Sequence, residues 1–237
     1  MIAVDGAQQS GSGTIVRYAV ALAALLGRPV RVFNARKRRR SQLTVTPAPR
    51  GLQPVSLVEP GVFREVHGIA LSSHLAERHV SDRMASVCED HLMAADLSCS
   101  IERIDDTTAP HAGASLAIWA ESTTGCRLGA DRAGGLARSS EAIGQFVAKS
   151  FLQDLWSGAT VDRHVADQLV LFAALAHGTS RYIVPRETEH LATNLWLIGQ
   201  CGVHGVVERR QVVIEGLGLG RAQTTEGVSV RQPAPIA

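Results

Sequence analysis

Apolar segments in this chain are short and change period repeatedly, and no run of about 18 apolar residues occurs in it. That alternation restricts the fold to mixed strands and helices. Residues 1–5 read as a short buried strand, residues 6–13 as a small, polar loop, and Thr14 to Leu26 as an Ala- and Leu-rich helix stopped by Gly27 and Pro29. Val30 to Phe33 and Gln42 to Val45 resume as strands, and Pro47, Pro49, Gly51 and Pro54 make a connector.

Further along, Val62 to Leu71 alternates like a strand, His74 to Ala95 is long enough for a helix, and Leu97 to Ile104 and Ala114 to Glu121 read as strands. Gly125 to Gly135 reads as a Gly- and Ala-rich turn region. Three helices are expected at Ser139 to Leu155, Val161 to Ala176 and Glu187 to Gln200, with strands near Arg181 to Val184 and Gln211 to Ile214 and a loose tail at the end. Strands and helices alternate in an α+β or α/β manner. At 237 residues with 45% hydrophobic but only 4% aromatic content, the core must be built from Leu, Ile, Val and Ala.

The net charge of +2 does not by itself argue for a nucleic-acid partner, but Arg36, Lys37, Arg38, Arg39 and Arg40 form an unbroken basic run. It is either a solvated strand end or a phosphate or RNA contact. Cys88, Cys99, Cys126 and Cys201 are too scattered for a zinc knuckle or a redox dithiol, so reduced thiols in a soluble, cytoplasmic protein are expected. No HExxH or close Cys/His cluster occurs, which leaves His67, His74, His79, His91 and His111 as structural residues.

Three segments could carry chemistry. The Gly11-Ser12-Gly13 loop before a helix could cradle an anion, yet it lacks the Lys-Ser/Thr ending of a P-loop, and a plain strand-to-helix turn is the simpler reading. In Val161 to Leu169, His164, Asp167 and Gln168 fall at i, i+3 and i+4 on one polar stripe of the expected helix. In Thr188 to Asn194, His190 and Asn194 stand one turn apart. Taken alone, the stripe reads as a solvated face and the helix-start histidine as structural or merely exposed.

Taken in order, the strings DGAQQSGSGTIVRYAVALA, VDRHVADQLVLFAALAHG and TEHLATNLWLI resemble the signature segments of the RNA 3'-terminal phosphate cyclase family. GVFREVHGIALSSHLAERHVSDRMA and RLGADRAGGLARSSEAIG resemble that family's inserted domain and the return from it. The resemblance implies a larger domain of repeated units, each a small sheet with two helices, over 1–58 and 136–237. A smaller inserted α/β domain would span 59–135.

It also implies an activity: ATP-dependent conversion of an RNA 3'-phosphate to a 2',3'-cyclic phosphate. A phosphate monoester lacks a good leaving group, and adenylation supplies one. A histidine attacks the α-phosphorus of ATP, AMP passes to the RNA phosphate, and the neighbouring 2'-hydroxyl expels AMP intramolecularly. By match to the motif, His190 is the nucleophile, a role suited to neutral imidazole. His164, Val165, Ala166, Asp167 and Gln168 fall on the ATP-contacting segment. Arg17 and Arg36 match basic positions near phosphates, where guanidinium forks suit oxyanions. Asn194 is a geometric candidate for orienting His190. The implied cofactors are ATP and a divalent metal, Mg or Mn, whose ligands the sequence leaves unknown. The implied partners are an RNA ending in a 3'-phosphate and, as a candidate, a second copy of the chain.

Two departures from the family pattern stand out. Ser10 occupies the place of a glutamate thought to help hold the metal, and a hydroxyl is the poorer ligand. After Arg40, the first family segment runs into one that normally comes much later, as if the chain were internally shortened. A non-catalytic RNA-binding or ribosome-assembly paralogue and an inactive truncated cyclase therefore stand as alternatives.

Overall fold

The structure, a computed structural model, describes residues 1–5, 19, 23, 29–34, 42–46 and 51–218. Arg17, Arg36, the rest of the basic run, Ser10 and the loop at 6–13 lie outside them. The chain divides into two compact units, one of Met1–Gln53, Leu175–His177 and Leu217–Ala237, the other of Pro54–Ala174 and Gly178–Gly216. In the first, β1 (Ile2–Asp5) pairs in parallel with β2 (Val30–Phe33), which pairs antiparallel with β3 (Gln42–Val45). Val30 and Val32 alternate inward, and the helical residues Ala19 and Ala23, one turn apart, are buried with them.

The second unit contains two sheets. β4 (Ser56–Leu57) is followed by β5 (Phe63–Ser73), a 3-10 turn at Ala76–Arg78, α1 (Val80–Met93), β6 (Ser98–Asp106), β7 (Gly113–Ser122), β8 (Arg127–Ala133) and α2 (Ser140–Trp156). The sheet order is β6-β5-β7-β8, with β5 and β6 parallel and the other pairs antiparallel. Alternation on the strands turns Val66, Ala70, Leu116, Ile118 and Leu128 to one face, where they meet Met84, Cys88 and Leu92 of α1 and Ile143, Val147 and Phe151 of α2. The two helices approach closely at Gly144, where an added Cβ would lie 2.5 Å from the Met84 carbonyl oxygen.

Two expectations change here. The segment read as a turn region at Gly125 to Gly135 holds β8, because pairing with β7 outweighs the poor strand propensity of its Gly and Ala residues. The helix expected from His74 starts only at Val80: His74 and His79 sit in the left-handed region, with φ of 55° and 48°, and interrupt the helical run.

The second sheet follows α3 (Val165–Leu175), β9 (His177–Ile183), α4 (Glu189–Gln200), β10 (Gly205–Glu208) and β11 (Gln211–Leu217), with order β10-β11-β9-β4. β10, absent from the sequence reading, pairs with β11 across Arg209 and Arg210. Both have positive φ, 48° and 69°, as a two-residue type I′ hairpin requires. Ala166, Val170, Ala173, Leu191 and Ile198 from the helices cover Tyr182, Val184, Val212 and Ile214 of the strands. Each four-stranded sheet thus has two helices on it, which bears out the mixed α+β class.

Within the second unit, the segments that lead into and out of the β6-β5-β7-β8 sheet are bonded to each other and to the β10-β11-β9-β4 sheet. Thr160 Oγ1 donates to the Leu57 carbonyl oxygen at 2.7 Å, and the Thr160 N–H donates to that of Ile183 at 2.9 Å. Leu57 is itself in parallel register with Tyr182.

Candidate nucleotide site at the start of helix α3

Residues 162–168 are held by side chains from three other elements. Asp162, 8% exposed, caps α3: its Oδ1 accepts from the N–H groups of His164 and Val165, both at 2.9 Å. The cap sets the helix start at Val165, so His164 lies just before the helix and not on a helical stripe with Asp167 and Gln168. Because the carboxylate already occupies those two N–H groups, this helix start offers a ligand side chains more than those main-chain donors.

Arg163 is anchored from α2. Its Nη2 lies 2.7 Å from Oδ1 of Asp154, its Nε 3.1 Å from the same oxygen, and its N–H donates to Oδ2 at 3.1 Å. The Asp154 side chain is 3% exposed and that of Arg163 18%, so this is a largely desolvated ion pair, unlike the exposed pair of Arg127 with Glu121.

Two consecutive carbonyls in the first turn of α3 then receive side-chain donors. The buried Tyr182 hydroxyl, from β9, donates to the Ala166 oxygen at 3.1 Å. Burial, and secondarily the Asp167 carboxylate, push the phenol well above its usual range, so it remains a donor. From α4, Asn194 Nδ2 donates to the Asp167 oxygen at 2.9 Å. Asn194 is therefore aimed at the candidate nucleotide segment rather than at His190, the partner expected for it. Its helix is capped by Thr188, whose Oγ1 accepts from the Leu191 N–H at 3.1 Å.

His190 lies in the first turn of α4, one turn before Asn194, and is exposed. The helix face that touches Asp167 thus carries His190 as well. His164, Val165 and Gln168 are exposed, Asp167 is half-buried and Ala166 is in the core. Ala166 can contribute main chain only, and its carbonyl is taken by Tyr182. Tyr182 is the residue that sequence reasoning missed. The signal was there, since in a chain with two tyrosines a buried one needs a hydrogen-bond partner.

Among the described residues no group of three or more His, Cys, Asp or Glu side chains converges on a point, so they supply no all-protein cage for a divalent ion. No described helix is long and apolar enough to cross a membrane. Two of the scattered histidines bond main-chain carbonyls: His74 through Nε2 to Ala109 at 2.6 Å, and His91 through Nδ1 to Val87 at 2.8 Å.

Comparison with known proteins meets this geometry. The family model for the insert domain of RNA 3'-terminal phosphate cyclase matches residues 58–155, the span of the first four-stranded sheet with α1 and α2. The RNA 3'-terminal phosphate cyclase of Caldivirga maquilingensis is 36% identical over 161 residues, covering 66% of this chain and 45% of the relative. That of Pyrobaculum aerophilum is 33% identical over 177 residues, 72% of this chain and 50% of the relative. That of Trichormus variabilis is 36% identical over 154 residues, 63% and 42% respectively. The chain belongs to the RNA 3'-terminal phosphate cyclase family. It spans about half the length of the curated relatives it matches.

Proposed function

We propose that this chain acts on RNA ends carrying a 3'-phosphate, using ATP to form a 2',3'-cyclic phosphate through an adenylated His190. The observation that carries the reading is the bond from Asn194 to the Asp167 carbonyl, which joins the helix of His190 to the nucleotide-contacting turn. In this reading His164, Asp167 and Gln168 contact the nucleotide by their side chains, Val165 and Ala166 shape the turn, and the exposed imidazole of His190 attacks the α-phosphorus. Pyrophosphate leaves, AMP is transferred to the RNA 3'-phosphate, and the adjacent 2'-hydroxyl displaces AMP to close the ring. Arg17 and Arg36 would bind phosphates, and Mg or Mn would enter with the ATP phosphates.

All four cysteines are free, which supports a reducing, cytoplasmic location. Trp196, Leu197 and Leu171 are 63%, 48% and 39% exposed on α4 and α3, and these exposed apolar side chains support a homodimer. Sedimentation velocity tests it; a monomer at assay concentrations removes that part of the reading.

The decisive experiment incubates the protein with ATP labelled at the α-phosphate and a divalent metal. An acid-labile, alkali-stable protein–AMP adduct is expected, and none in His190→Ala. An adduct that survives in His190→Ala defeats the mechanism. Labelling without cyclisation of a 3'-phosphorylated RNA would assign the chain nucleotide chemistry alone.

A further inference from the structure

The insert domain has a basic cavity of its own, about 710 Å³, between the approach to α1, the start of β7 and the Gly134–Ser139 connection into α2. Arg78, Arg83 and Arg138 line it, and no carboxylate does. Arg83 is committed, since its Nε and Nη2 both lie 2.7 Å from Glu141 Oε1. Arg78 and Arg138 have no acidic partner among the described residues, and Arg138 spends one donor on the Ala133 carbonyl at 3.1 Å. Two exposed guanidinium groups therefore face the cavity without compensation.

A second observation is independent of that charge. Ser140, the first residue of α2, is only 6% exposed and lines the cavity, yet its hydroxyl has no hydrogen-bond partner among the described residues. Its neighbour Ser139 already caps the helix by accepting from the Ala142 N–H at 3.1 Å, so Ser140 is not needed for that purpose. No fully buried side-chain oxygen among the described residues lacks a partner, so the Ser140 hydroxyl is reached from the cavity and is free to donate to a ligand oxygen there. The walls are apolar, from Leu75, Val80 and Ile143, and the rim carries the fully exposed Leu136.

We propose that this cavity is an RNA subsite, separate from the nucleotide turn, that takes a backbone phosphate of single-stranded RNA. Arg78 and Arg138 bind the oxyanion, the Ser140 hydroxyl donates to it, and the apolar wall and Leu136 receive the ribose and base. The volume suits one nucleotide, and unpaired arginines on separate segments suit a polyanion that passes across the opening. The choice of RNA as the polyanion rests on the proposed function; the anion site itself does not.

The test uses the full chain and a fluorescein-labelled oligouridylate ending in a 3'-phosphate, with binding followed by anisotropy over a salt series. R78Q/R138Q is expected to weaken binding about tenfold and to make the log–log salt slope shallower by about 1.4, at about 0.7 per lost phosphate contact. R138K keeps the charge and should keep the slope, which distinguishes lost contact from altered folding. Equal affinity and slope in wild type and R78Q/R138Q, or no binding by the wild type, overturns the proposal. So does a loss confined to AMP or to a phosphoserine peptide with oligonucleotide binding unchanged. His190 labelling by ATP is read in the same samples. Labelling retained while oligonucleotide binding falls supports both assignments, whereas weakened binding in R78Q/R138Q without wild-type labelling keeps the subsite and removes the cyclase reading.

Discussion

The insert domain and the C-terminal sheet each lay two helices over a four-stranded sheet, yet the second adds a further means of holding them. In the insert domain α1 and α2 pack on Met84, Leu92, Ile143 and Phe151 and nearly touch at Gly144. In the C-terminal sheet α3 and α4 pack an apolar core too, through Val170, Leu191 and Ile198, and in addition Tyr182 and Asn194 each bond one main-chain oxygen in the first turn of α3. Apolar packing fixes a volume and tolerates small shifts. A hydrogen bond fixes an atom. The second kind of restraint lies where the chemistry is proposed.

The contrast can be broken most severely in the insert domain. Phe151→Ala should cost about 4 kcal/mol by emptying a fully buried site, read as a shift in the urea midpoint. A loss below about 1 kcal/mol would mean that this core is not close-packed.

Next in size is the pair that spans the two regions. Asp154→Ala should cost about 3 kcal/mol by leaving the Arg163 guanidinium half-buried without its partner, and Asp154→Ala with Arg163→Met should recover most of it. Equal losses in the single and double variants would refute the desolvated-pair account.

Restraint of single atoms predicts a smaller effect on stability and a larger one on chemistry. Tyr182→Phe and Asn194→Ala should each cost about 1 kcal/mol. Both should raise the KM for ATP in the labelling reaction while His190 remains competent. If Asn194→Ala lowers kcat alone and leaves KM unchanged, it serves the imidazole directly and the geometric assignment fails.

The last expected effect is nil near neutrality and is confined to alkali. Burial, with lesser contributions from Cys99 and Glu89, pushes the Cys88 thiol from 9.0 up to about 12. The folded state then holds its proton over a range where the unfolded chain has lost it. Stability from this group is complete below pH 9 and is lost as the pH rises from there through 12. Cys88→Ala should flatten the decline of thermal midpoint in that window, and an unchanged slope would place its origin in other groups.

Much of this architecture was legible in the residues. The helices at Ser139 and Thr188 announce themselves because a capping hydroxyl precedes a strongly periodic run. β8 was hidden because Gly129, Ala130 and Ala133 give alternation too little hydrophobic contrast, and only the neighbouring strand decides it. The helix start at Val165 depended on whether Asp162 would cap or continue the helix, which its burial settles. At the candidate site, the resemblance drew attention to His190 and to residues 164–168, but nothing local reveals the target of Asn194. Its partner lies 27 positions earlier, and spacing on its own helix points to His190 instead.

The bond from Thr160 to Leu57 has an evolutionary consequence. Because the residues flanking the insert lie within one side chain's reach and both attach to β9, the domain enters and leaves through a closed gate. A cassette joined in this way can be gained, lost or exchanged between lineages while the strand that carries Tyr182 stays in register.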